Sequence, residues 1–213
     1  INVARKELKS LFASPMGWII LALLMFAFGS FYLQDINNYF EVMSGAIRPA
    51  ERVGVTIFVG QTVYGIASFL MLFAVPLLSM GLISGERKSQ TLPFLFSAPI
   101  SLSEIVVGKF LGLILFLSIL VAYILLMLST LNIWSDIDFG YLLSNSLGLI
   151  LLAASFSALG IYFSSLTSQP MVAAILSFIA LFALMGLDKF FGSQPNHWFG
   201  YISLMKHFQS FSR

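Results

Sequence analysis

From Ile57 to Ile83 the chain runs without a single Asp, Glu, Lys, Arg or His. About 18 consecutive apolar residues already suffice for a helix to cross the hydrocarbon core of a bilayer. The rest of the sequence agrees with that reading. Of 213 residues, 59% are hydrophobic and only 9% charged, and the mean hydropathy is +0.95. A soluble domain carries roughly 25% charged residues, so this chain has too little charge to keep a globular surface wet, and the cytosolic enzyme classes are excluded. The 11 Lys plus Arg against 9 Asp plus Glu, a net +2, are too balanced for a nucleic-acid binder. With no cysteine there is no disulfide, thiolate metal site or cysteine nucleophile.

Nearly uninterrupted apolarity defines five spans, at 17–33, 57–83, 105–131, 141–166 and 171–187. They leave no room for a separate globular domain. Only helices and closed barrels satisfy their backbone polar groups inside a bilayer. The runs are long and lack period-2 alternation, so the fold class is all-α, a polytopic helical bundle in a lipid bilayer. The first run is longer than a signal-peptide core, so it reads as a retained span. Trp18, Trp134 and Trp198 stand at or beyond span margins, where the headgroup belt collects tryptophan.

Lys and Arg in the connections orient the bundle. Arg5, Lys6 and Lys9 precede the first span, and Arg87 and Lys88 follow the second, with Lys109 just inside the third. The connection 132–140 carries Asp136 and Asp138 and no base. The positive-inside rule therefore predicts a cytoplasmic N-terminus and a cytoplasmic second connection. Lys189, Lys206 and Arg213 run against this rule, since five spans leave the segment 188–213 on the extracytoplasmic side.

Before the first span, Ala4, Leu8, Leu11 and Phe12 recur at helical spacing opposite Arg5, Lys6 and Lys9, and Ser14-Pro15 breaks the chain. Segment 1–15 thus reads as a helix lying in the cytoplasmic interface; the alternative is a plain extension of span one. The span middles hold no ionisable residue, so there is no ion-coupling site of the usual kind, and the energy for any transport must come from a partner. The only Gly-Lys, Gly108-Lys109, has Ser103 and Phe110 where a phosphate-binding loop needs Gly and Ser or Thr. His197 and His207 could contribute to a metal site, but nothing nearby completes one, and the nine Met read as packing.

The connection 84–101 is the informative one. Glu86, Arg87 and Lys88 cluster at the membrane exit, Thr91 is suited to capping a helix, and Pro93 is tolerated in a first turn. Leu92, Phe94, Leu95 and Phe96 then make a short apolar segment closed by Pro99. Such a patch outside the bilayer marks a docking surface; a re-entrant loop touching only lipid is the alternative. Three small-residue pairs spaced four apart, Gly81/Gly85, Gly108/Gly112 and Ala154/Ala158, would allow close helix approach.

These residues resemble a known family. Ile83-Ser84-Gly85-Glu86-Arg87, Thr91-Leu92, Ser97-Ala98-Pro99-Ile100-Ser101, Glu104-Ile105-Val106 and Gly108-Lys109-Phe110 are similar to the signature region of ABC-2 type transporter permeases. Lys6-Glu7-Leu8-Lys9-Ser10 with Phe12 and Ser14-Pro15 resembles the elbow helix that opens such permeases. The nearest likeness is to the gliding-motility-associated branch and its nitrous-oxide-accessory relatives. The resemblance implies a bacterial plasma-membrane permease, exporting, that pairs with a second copy or paralogue and with a cytoplasmic ATP-binding subunit. ATP and Mg would be bound there; this chain would hold no cofactor, metal or catalytic residue. Thr91, Leu92, Pro93, Phe94, Leu95 and Phe96 would form the coupling helix docked on that subunit, and Glu86, Arg87 and Lys88 the cytoplasmic gate. A membrane scaffold for a motility or assembly machine would use the same docking segment. The chain departs from the family at Gln90, where Gly is common, at Pro93, and in its long connection 34–56. It also lacks the family's sixth span, which is expected beyond Arg213.

Overall fold

The computed structural model describes residues 2–43, 54–90, 101–133 and 137–191. Among these the chain is helical throughout: α1 (Asn2–Ala13), α2 (Pro15–Met43), α3 (Val55–Ser79), α4 (Ser84–Lys88), α5 (Leu102–Ser129), α6 (Phe139–Leu166) and α7 (Pro170–Phe191). Four stretches are long and apolar enough to cross a membrane, Pro15–Val42, Val55–Lys88, Ser103–Ile133 and Phe139–Leu166. The fifth expected span corresponds to α7, whose apolar stretch Pro170–Met185 is shorter. The polytopic helical bundle read from the sequence is therefore the fold. Trp134, Trp198, both histidines and the docking residues Thr91, Leu92, Pro93, Phe94, Leu95 and Phe96 lie outside the described residues.

α3 stands at the centre, packed against α2, α5, α6 and α7. Val59, Val63, Ala67, Met71 and Val75 recur every four residues along its most buried edge, one stripe of a helix. Phe116, Leu120, Ile124 and Leu128 of α5 close the core from the other side. Outward-facing apolar side chains such as Phe26, Leu126 and Met171 are 68–78% exposed, the surface that lipid would cover. Inside the bundle, hydroxyls bridge helices. Tyr64 Oη donates to the Leu142 carbonyl at 3.0 Å and lies 2.7 Å from Ser146 Oγ. Tyr32 and Thr130 meet at 2.7 Å between α2 and the end of α5. In lipid, where apolar surface gives helices no reason to associate, such bonds and close packing hold the bundle.

The Ser14-Pro15 break falls between α1 and α2, as the sequence predicts. The corner is tight: a Cβ on Gly17 would collide with the Leu11 carbonyl oxygen. Trp18 Nε1 donates to the Phe12 carbonyl at 2.7 Å, satisfying one of the acceptors a helix end leaves orphaned. Phe12 in turn packs on Trp18 and on Phe116 of α5, with ring centroids 5.8 and 5.2 Å away.

The second span is not one continuous helix. α3 stops at Ser79, residues 80–83 form turns, and α4 restarts at Ser84. Pro76 prepares the break, because its missing N–H cannot bond the carbonyl one turn earlier. The start of α5 is fixed by a capping box: the Glu104 amide donates to Ser101 Oγ at 3.3 Å and the Ser101 amide to Glu104 Oε2 at 3.1 Å.

Candidate functional site

The site grows from three elements that the sequence separates by about a hundred residues. α1 lies along the start of α5, and the contact is made possible by two missing side chains. A Cβ on Gly108 would fall 2.6 Å from Val3 Cβ, and one on Gly112 would fall 2.8 Å from Glu7 Cβ and 3.1 Å from the Ala4 carbonyl oxygen. One turn of glycine spacing thus makes a groove for the elbow helix. The Gly108/Gly112 pair serves this contact within the chain. Gly81 and Gly85 face open space among the described residues, and Ala158 is exposed.

In that groove α1 presents Ala4, Glu7, Leu8 and Leu11 inward, while Arg5, Lys6 and Lys9 stay exposed. An acidic residue in the middle of an apolar face needs a partner, and Lys109 supplies it. Lys109 is 1% exposed. Its Nζ donates to Glu7 Oε1 at 2.7 Å and to Glu86 Oε1 at 2.7 Å. Glu7 is buried with it, whereas the Glu86 side chain is 23% exposed. These are short, charge-assisted bonds, and one ammonium between two carboxylates leaves the cluster with a formal charge of −1. Elbow, α4 and third span are therefore tied at a single nitrogen.

α4 is held at its other end by a hydroxyl. Ser164 Oγ of α6 accepts from the Ile83 and Ser84 amides, both at 3.2 Å, and donates to the Met80 carbonyl at 2.9 Å. It thus meets the backbone groups that the break sets free. Ser84 Oγ also donates to the Met80 carbonyl. In the turn after α4, Gln90 stands in the left-handed region at φ 56°, a conformation that costs a residue other than Gly roughly 1–2 kcal/mol.

Two clefts flank the break. One, of about 410 Å³, lies between α1 and α3–α4, with Glu7, Glu86, Lys109, Lys6 and Ser10 in its wall. The other, of about 1030 Å³, lies between α3–α4 and the start of α7 and takes Arg87 and Lys88. Of the three residues read as a gate, then, Glu86 joins an ion-pair network, while Arg87 and Lys88 are exposed and face the opposite cleft. Sequence reasoning missed Glu7 and left Lys109 without a partner. The signal was present: Glu7 is the acid on the apolar face of α1, and Lys109 is the base within span three. No group of three or more His, Cys, Asp and Glu placed to hold a metal occurs among the described residues. The arrangement is a helix of five residues between turns, held by an ion pair on one side and a hydroxyl on the other.

A search of curated proteins finds no match to this chain. A family model described as ABC-2 family transporter protein matches residues 1–199.

Proposed function

The chain belongs to the ABC-2 family of transporter proteins, and from that premise we propose that it is the permease subunit of an exporter whose power stroke enters through α4. Membership makes it the membrane-spanning component of such a transporter. The finer reading is ours: a bacterial plasma-membrane protein with a cytoplasmic N-terminus, working as a pair and docked on an ATP-binding subunit through Thr91, Leu92, Pro93, Phe94, Leu95 and Phe96. Likeness of Ile83–Phe110 to the gliding-motility-associated branch supports the choice of membrane.

The observation that carries the reading is the double ion pair of Lys109. A push on segment 91–100 reaches Glu86 within a few residues. Through Lys109 it reaches the third span and, through Glu7, the elbow. Packed interfaces switch between discrete arrangements rather than deform smoothly. The Glu86 pair, with its carboxylate 23% exposed, is the one placed to open, while the buried Glu7 pair keeps elbow and third span together. ATP binding must favour one arrangement over the other for anything to move.

The test is made on the complex co-expressed with its ATP-binding subunit and reconstituted in liposomes. Phe94→Asp removes the ATP-binding subunit from the purified complex while the permease stays in the membrane. Glu86→Gln keeps the complex assembled and lowers its ATP turnover by about tenfold, the consequence of losing roughly 1.4 kcal/mol of charge-assisted coupling. Co-purification of the Phe94→Asp protein, or unchanged turnover with Glu86→Gln, overturns the assignment. A scaffold would hydrolyse ATP with no dependence on the Glu86–Lys109 pair.

A further inference from the structure

The larger cleft beside α4 has a composition that the permease reading leaves unused. Its apolar wall is one face of α7, Met171, Ala174 and Ile175, joined by Leu77 of α3. Met171, Ile175 and Leu77 are 75%, 51% and 41% exposed. Its mouth carries Arg87 and Lys88. Among the described residues no Asp or Glu lines it. The nearest acid in sequence, Glu86, is turned to Lys109 on the other side of α4, and segment 91–100 contains no acidic residue. A pair of cations at the end of a wall of exposed aliphatic surface is complementary to an anionic amphiphile. Two cations at the mouth, with no acidic residue beside them among the described residues, favour an anionic occupant.

We propose that the cleft between α4 and α7 binds one anionic phospholipid of the surrounding leaflet, with its phosphate between Arg87 and Lys88 and an acyl chain along Met171, Ala174 and Ile175. The headgroup end then lies beside the hinge at 80–83, so the lipid's charge acts on the segment that carries Glu86. The site needs no partner subunit, so its failure is distinguishable from failure of the coupling reading.

Native mass spectrometry of the purified full chain tests this, with phosphatidylglycerol and phosphatidylcholine of identical acyl chains as probes. A Lys or Arg beside anionic lipid contributes about a fivefold preference, so the two together give roughly thirtyfold for phosphatidylglycerol. The double variant Arg87→Gln/Lys88→Gln loses that preference. Arg5→Gln/Lys9→Gln, with the same change in net charge on the exposed face of α1, keeps it. Unfolding midpoints measured alongside show that the variants are folded. Equal binding of the two lipids, or equal loss in both double variants, overturns the proposal. So does a disulfide between two copies of Ala174→Cys, which would mean that another protomer occupies the cleft.

Discussion

Lys109 is the residue on which the site turns, and its environment sets what replacing it does. Removing one member of a buried ion pair leaves uncompensated charge and costs about 3–5 kcal/mol. Lys109→Met leaves the Glu7 and Glu86 carboxylates facing each other across a gap that the ammonium filled. We therefore expect Lys109→Met to lower the unfolding free energy of the purified chain by that amount. Glu7→Gln should cost more than Glu86→Gln, because the Glu7 side chain is 11% exposed and Glu86 23%. Denaturant titration in detergent reads all three, and a Glu86→Gln loss exceeding that of Glu7→Gln would reverse the assignment of which pair is structural. Two of the three residues of this cluster were legible beforehand. Glu86 stood out in a charged run at a membrane exit, and Lys109 as a base inside a span. Glu7 lies on the apolar face of α1 but is flanked in sequence by the exposed bases Arg5, Lys6 and Lys9, and the spacing of Ala4, Leu8, Leu11 and Phe12 does not single it out. Only the fold shows that residues 102 positions apart share one nitrogen.

At the scale of elements, the elbow is held by shape as much as by charge. Gly108 and Gly112 admit α1 to a distance that even a methyl group would prevent. Overpacking of this kind costs typically about 1–3 kcal/mol, and here the adjustment must come from α1 moving away as a body. Gly108→Ala/Gly112→Ala should therefore expose the inward face of the elbow. Since the chain has no cysteine, a single Ala4→Cys reports on it. Its thiol, buried in the parent, should label several-fold faster with maleimide in the double-alanine background. Unchanged labelling would mean that the elbow is retained by the ion pair alone. The glycine spacing was readable from sequence as a close helix approach, yet its partner was not, because spacing says nothing about which helix comes near. The break at 80–83 was hidden for a similar reason. Apolarity runs unbroken from Ile57 to Ile83, and what ends α3 there is partly Pro76 and partly Ser164, a hydroxyl from another helix. Span limits follow from hydropathy, whereas an interruption stabilised by tertiary contact leaves no trace in it.

For the whole molecule, the bundle sorts its charges by end. The antiparallel course of α2, α3, α5, α6 and α7 gathers α1, α4, the start of α5 and the connection at Ser168 at one end of the bundle, and Asp138 at the other. Arg5, Lys6, Lys9, Arg87 and Lys88 belong to the first end. Excess Lys and Arg in short connections stays on the cytoplasmic side, so the end that carries the Glu7–Lys109–Glu86 cluster should face the cytoplasm, where an ATP-binding partner could reach α4. Three single cysteines decide it against a cysteine-free background: Arg5→Cys and Ser168→Cys at the first end and Asp138→Cys at the second, each at an exposed position. In intact cells a membrane-impermeant maleimide should label Asp138→Cys alone, with the other two labelled only after permeabilisation. The reverse pattern would put the hinge and its ion pairs outside the cell, beyond the reach of any nucleotide-driven subunit, and coupling through α4 would be untenable however well the cluster is built.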